Sequence, residues 1–211
     1  MIFKTRMIRI KGNEVSEKYA KYCSKSWFGF NLRYSDAVTP KTLHEQTGLT
    51  FGVRGNGREL TDTEKACLYS QYNLWLKCAK ENVPILVLEH DAFLTNASAI
   101  HFNPNLMVQY FGQHSMEAVM YHPHFCKMVV DYCSKNKVSG PMQLIDQLLG
   151  YFNKGTQSRH GIPHARYQGR LSPVKSVIDP NIGTTVDHEG STLDRLKTGD
   201  GNLFRLVNLG E

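Results

Sequence analysis

Apolar residues recur at helical spacing in several stretches of the chain and run without interruption in one short stretch. Val15, Tyr19, Tyr22, Cys23 and Trp27 define one face of a helix, for which Ser16 is a candidate cap. Thr61-Asp62-Thr63-Glu64 reads as a capping box, in which Thr61 caps a second helix and Glu64 bonds back. That helix carries Cys67, Ser70, Leu74, Trp75 and Cys78 on one side, and Pro84 ends it. A third helix opens at Pro123, turns Phe125, Val129, Tyr132 and Cys133 inward, and breaks at Gly140-Pro141. Met142 to Phe152 is a further helical stretch.

Ile85-Leu86-Val87-Leu88 is short and wholly apolar, which suits a strand buried on both faces of a parallel sheet. Met7 to Ile10, Phe30 to Tyr34, Ala118 to Tyr121 and Ser176 to Ile178 are weaker strand patterns. Helices alternating with strands predict an α/β fold. A length of 211 residues suits one domain with a full core. Gly55-Asn56-Gly57-Arg58 reads as a flexible loop, with approach to a phosphate as the alternative.

Composition changes this picture little. Charged residues make up 21% of the chain and no apolar run approaches the length of a membrane span, so a water-soluble domain is expected. The first ten residues mix basic and apolar positions and lack the pattern of a signal peptide, which predicts a cytoplasmic protein. Cys23, Cys67, Cys78, Cys126 and Cys133 form no Cys-x-x-Cys pair and mostly fall within apolar patterns, as small core residues do in a reducing compartment. The formal net charge of +6 is unevenly spread. No acid lies between Asp146 and Asp179, a stretch that holds Lys154, Arg159, Arg166, Arg170 and Lys175 among Phe152, His160, His164 and Tyr167.

The candidate chemistry lies directly after the apolar strand. Glu89-His90-Asp91 places two carboxylates one residue apart, at the strand end where open α/β sheets bind ligands. Hard oxygen ligands suit Mg²⁺ or Mn²⁺. A cation there would hold a diphosphate and neutralise the charge that develops as it leaves. The plainer alternative is an acidic pair that caps the next element or is simply solvated.

The block Leu60-Thr61, Glu64, Cys67, Ser70, Leu74-Trp75 and Val83 to Ala92 resembles glycosyltransferase family 25, which includes bacterial lipopolysaccharide glycosyltransferases and collagen galactosyltransferase domains. Tyr34 to Val38, Gly140 to Asp146 and Ser191-Thr192-Leu193 extend the resemblance. It departs from the family's pattern at His90, where the family has an acid, and at Gln71, where it has a histidine. The resemblance implies a GT-A-type nucleotide-binding fold over residues 1–211, with a mostly parallel central sheet flanked by helices. It further implies a nucleotide-sugar donor and inversion at the sugar carbon. By motif position, Glu89 and Asp91 are the candidate metal and donor ligands. Asp36 and Ser70 are further donor-side candidates, and Asp146 is the candidate catalytic base, with an exposed acid on a helix as the alternative. His188 is a candidate third metal ligand, with an ordinary surface histidine as the alternative. His90 is expected to face away from its neighbours, since successive residues of an extended chain point opposite ways, with a further metal ligand as the alternative. His122-Pro123-His124 is expected to be a loop.

The acceptor rests on charge. Basic residues interleaved with aromatics attract a phosphate backbone, so Lys154, Arg159, Arg166, Arg170 and Lys175 are candidate contacts to double-stranded DNA, with a solvated flexible loop as the alternative. Compact glycosyltransferases of this general kind occur in large bacteriophages, where they modify hydroxymethylated bases. The expectation is transfer from a UDP-sugar to hydroxymethylcytosine in DNA, in the host cytoplasm if the chain is phage-encoded. A saccharide acceptor such as lipopolysaccharide core, and a binding domain without catalysis, are the alternatives.

Overall fold

The computed structural model describes residues 3–54, 57–112, 116–140 and 172–177, together with the backbone of 164–166. The chain opens with β1 (Lys4–Arg9), α1 (Glu14–Ser24) and β2 (Leu32–Asp36), followed by β3 (Thr50–Phe51) and the long α2 (Asp62–Glu81). Next come β4 (Ile85–Leu88), β5 (Ala92–Leu94), β6 (Val108–Tyr110), β7 (Ala118–Tyr121) and α3 (Pro123–Lys135). β8 (Lys137–Val138), β9 (His164–Arg166) and β10 (Val174–Ser176) complete the described elements.

A six-stranded sheet in the order β2-β1-β4-β7-β6-β9 forms the centre. The pairs β2/β1, β1/β4 and β6/β9 are parallel, whereas β4/β7 and β7/β6 are antiparallel. The fold is thus α/β with a mostly parallel central sheet flanked by helices, as expected. β10 pairs antiparallel with β5, and β3 pairs with β8, in two small two-stranded sheets.

Alternation along β4 accounts for its wholly apolar sequence. Ile85 and Val87 join one core with Leu68, Trp75, Tyr121, Phe125 and Val129, from the α2 and α3 side. Leu86 and Leu88 join the other with Met7, Ala20, Cys23, Trp27 and Met120, from the α1 side. A strand covered on both faces has no polar side to present.

The capping box of α2 forms as the sequence predicts. The Thr61 hydroxyl accepts from the Glu64 N–H at 3.2 Å, and Glu64 accepts from the Thr61 N–H at 2.9 Å. Asn82, left-handed at φ 54°, closes the helix before Pro84 is reached.

Other boundaries move. Asn13 rather than Ser16 caps α1: its Oδ1 accepts from the Ser16 N–H at 2.8 Å, while the Ser16 hydroxyl turns inward to accept from the Ile10 N–H at 2.9 Å. β2 starts two residues later than its pattern. A turn closed by Phe30 N–H to Trp27 O (3.1 Å) and a left-handed Asn31 (φ 45°) hold the chain out of extended geometry until Leu32. Cys67 is exposed, so the inward face of α2 runs instead through Ala66, Leu68, Tyr69, Leu74, Trp75 and Cys78. His122 is not in a loop but caps α3, its Nδ1 accepting from the His124 N–H at 3.1 Å. The helix expected over Met142 to Phe152 lies outside the described residues.

Candidate active site

Because β2, β1 and β4 are parallel, Asp36, Arg9 and Leu88 finish at the same edge of the sheet. Glu89, His90 and Asp91 project beyond that edge, where the strand ends of an open α/β sheet offer a ligand cleft. The chain reverses here instead of extending: the Ala92 N–H donates to Glu89 O at 3.1 Å, and β5 begins at once. Strict alternation therefore does not govern these three side chains. The His90 ring lies against Tyr19 of α1, with ring centroids 6.0 Å apart.

Among the described residues, Asp91 and Glu117 are the acidic neighbours of Glu89 at this turn. The Glu89 N–H donates to Glu117 O at 2.9 Å, tying the end of β4 to the start of β7. The Glu117 side chain, only 5% exposed, lies across Gly112. A Cβ at position 112 would press on the Glu117 carboxylate and stand 3.0 Å from its Cβ, so any larger residue would push this side chain aside. Loss of hydration, then the neighbouring charges of Asp91 and Glu117, raise the pKa of Glu89 above the usual carboxylate range. Among the described residues, the charges acting on Glu89 are thus of its own sign. Burial, with Asp91 nearby, likewise pushes the Cys23 thiol far up, so that cysteine is an inert core residue.

Asp91 is held asymmetrically. Its Oδ2 accepts a short hydrogen bond from the Ser176 hydroxyl. Its Oδ1 is buried and has no hydrogen-bond partner among the described residues. An orphaned carboxylate oxygen costs free energy unless a ligand satisfies it. Hard oxygens crowded by like charge fit a divalent cation, and Glu89 and Asp91 are the side chains that would hold it. Among the described residues no three His, Cys, Asp or Glu side chains are grouped closely enough to hold an ion. A cation that binds together with a diphosphate needs only one or two protein carboxylates, because phosphate and water oxygens complete its shell.

The other candidates fall at different distances from this turn. Asp36 stands two strands over, about 10 Å away by strand spacing. It pairs with Arg9 (3.4 Å) and Lys11 (3.8 Å), and the Arg9 guanidinium lies 4.5 Å over the Tyr34 ring. Ser70 lies behind the edge: its hydroxyl donates to Ala66 O and accepts from the Val38 N–H, both at 2.9 Å. It thereby fixes the chain that leaves β2. Gln71 is buried in α2 with its Oε1 unpartnered among the described residues. Arg58 of the glycine loop is engaged by Glu64 through two bonds of 2.8 and 2.9 Å. Lys175 lies on β10 opposite Phe93, and Arg166 lies on the edge strand β9 opposite Tyr110. Asp146, His188, Lys154, Arg159 and Arg170 lie outside the described residues. Sequence reading missed Glu117 and Ser176. No local pattern marks either one, and only strand pairing brings them to the turn.

The profile of glycosyltransferase family 25 (LPS biosynthesis protein) matches residues 14–140, more than half of the chain. The protein belongs to that family, and its general role is glycosyl transfer. No curated protein matches it at a significant level. Among solved structures it is similar to a glycosyltransferase involved in the glycosylation of the major capsid of PBCV-1. That likeness has a TM-score of 0.45 and 11% identity, over 80% of this chain and 82% of the other. It is also similar to mouse xyloside xylosyltransferase 1 in its apo form, with a TM-score of 0.41 and 10% identity, over 77% and 84%. Among the described residues no helix is long and apolar enough to cross a membrane.

Proposed function

We propose that the protein transfers a sugar from a UDP-sugar to an acceptor hydroxyl at the Glu89-His90-Asp91 turn, with Mg²⁺ or Mn²⁺ held by Glu89 and Asp91. The observation that carries this reading is the crowding of carboxylates at the end of a buried strand, one oxygen of Asp91 being left without a partner. When bound, the cation supplies charge neutralisation to the departing diphosphate. The buried base of the turn lowers the local dielectric, which strengthens that interaction. Asp146, by its motif position, takes the proton of the acceptor hydroxyl as the oxygen bonds to the anomeric carbon and the bond to the diphosphate breaks. His188 is a further ligand in this reading.

The acceptor we favour is the hydroxymethyl group of a modified cytosine in double-stranded DNA. It is supported by the acid-free basic stretch that holds Lys154, Arg159, Arg166, Arg170 and Lys175. That hydroxymethyl group lies in the major groove, where the enzyme reaches it directly or after flipping the base. A second reading, a saccharide acceptor, is favoured by the family's description as lipopolysaccharide biosynthesis proteins.

The test is UDP release across a panel of UDP-sugars with Mn²⁺, with and without hydroxymethylcytosine DNA. Release that requires the modified DNA, with a matching mass gain on the nucleoside, is the expected result. Release that ignores DNA moves the acceptor to a saccharide. No release with any donor overturns the UDP-sugar reading and leaves a binding domain or a different donor.

A further inference from the structure

Residues 172–177 run along the chain that leaves the acidic turn and fasten it at several points. Pro173 O accepts from the Thr95 N–H (2.8 Å), the Asn96 N–H (3.3 Å) and the Thr95 hydroxyl (2.9 Å). The Val174 N–H donates to Phe111 O at 3.3 Å, and the Val174 side chain is fully buried. β10 pairs with β5 so that Ser176 faces Ala92, and the Val177 N–H donates to Asp91 O at 3.0 Å. The backbone of this strap is therefore secured without any help from the Ser176 side chain.

The Ser176 hydroxyl makes a separate contact, donating to Asp91 Oδ2 across 85 residues of sequence. A carboxylate at the end of a short side chain turns readily about its last bond. The hydroxyl breaks the equivalence of the two oxygens. Oδ2 is committed to the strap, and Oδ1 is left buried and without a partner among the described residues.

We propose that Ser176 is a positioning residue, which orients Asp91 so that Oδ1 alone is offered to the cation that arrives with the donor diphosphate. This inference rests on the metal-binding reading of Glu89 and Asp91 given above. Groups that orient metal ligands typically contribute roughly 10–100-fold to metal affinity.

The test uses the full chain and measures Mn²⁺ binding in the presence of UDP, by calorimetry and by the electron paramagnetic resonance signal of free Mn²⁺. Ser176→Ala is expected to raise the Mn²⁺ Kd about tenfold, with a modest fall in Tm because Asp91 Oδ2 loses its donor while the backbone bonds of the strap remain. Ser176→Thr and Ser176→Val provide a second pair of nearly equal shape, both suited to a strand, of which only threonine keeps the hydroxyl. Threonine is expected to match the wild type and valine to match alanine. Equal affinity in wild type and Ser176→Ala overturns the inference while the metal reading stands. Equal weakening by threonine and valine also overturns it, because shape and not the hydroxyl would then be responsible. A wild-type protein that binds no Mn²⁺ with UDP overturns the metal reading itself, and the role of Ser176 with it.

Discussion

Asp91 is held by Ser176 on one oxygen while the other is buried without a partner among the described residues, an arrangement that serves binding at the expense of the free protein. Removing its carboxylate should therefore have opposite effects on activity and stability. Asp91→Ala is expected to abolish metal dependence and to cut turnover at least about 100-fold. The metal-free Tm should stay level or rise as Glu89 loses a like-charged neighbour. UDP release with and without Mn²⁺, alongside thermal denaturation, checks both parts; near-wild-type rates would move the site elsewhere. Asp146→Asn is expected to keep UDP binding but to lose about 100-fold or more in transfer, the usual contribution of a general base. Loss of UDP binding instead would place Asp146 on the donor side. Glu89 and Asp91 were legible because they adjoin a strand that its sequence alone marks as buried. Glu117 was not, since its place depends on the pairing of β7 with β4 and on the absence of a side chain at Gly112.

At the scale of elements, local chemistry was legible wherever it was self-contained. The capping box of α2 is complete within four residues, and the structure adds what the sequence did not predict: Arg58 and Arg54 converge on the same Glu64 carboxylate. The hydrogen bond from Arg58, aided by the Thr61 N–H, pulls the Glu64 pKa down to about 2. A depressed carboxylate pKa gives stability that is full above the unfolded value, near 4.5, and is lost as pH falls through about 2. Glu64→Gln is thus expected to lower stability at neutral pH by about 1–2 kcal/mol. It should also flatten the loss of stability between about pH 4.5 and 2. Denaturant titrations over that range measure both effects, and parallel pH profiles for variant and wild type would contradict the assignment. β5, β6 and β10 were less legible because each spans three residues, too few for a period to register. β10 in particular begins two residues before the strand pattern at Ser176 to Ile178, set by the hold that Phe111 and Leu94 have on Val174.

For the molecule as a whole, the parallel strands bring Asp36 and the acidic turn to one edge, and the stretch between Asp146 and Asp179 carries positive charge with no acid among it. If that charge meets DNA, affinity should fall steeply with salt, and each neutralised phosphate contact should lower the log–log slope by about one. Arg159→Ala combined with Arg170→Ala is expected to weaken binding to modified and unmodified duplexes alike and to reduce the slope by about two. Fluorescence anisotropy across a salt series measures this, and no binding even at low salt would remove DNA as the acceptor. The general fold class was legible from the alternation of helices and strands. The reversed direction of β7 within the sheet was not, because strand direction is decided by connections that periodicity does not encode.

The strap of residues 172–177 also imposes an order in time. Contacts between neighbouring segments form sooner than contacts across long stretches of chain, and a growing polypeptide folds from its beginning. Both cores flanking β4 draw mainly on residues made before position 140. The Asp91 turn gains its clasp only after a further 85 residues have been added beyond it. On the ribosome the body of the protein is therefore assembled first, and its acidic turn is fastened only once the strap has emerged.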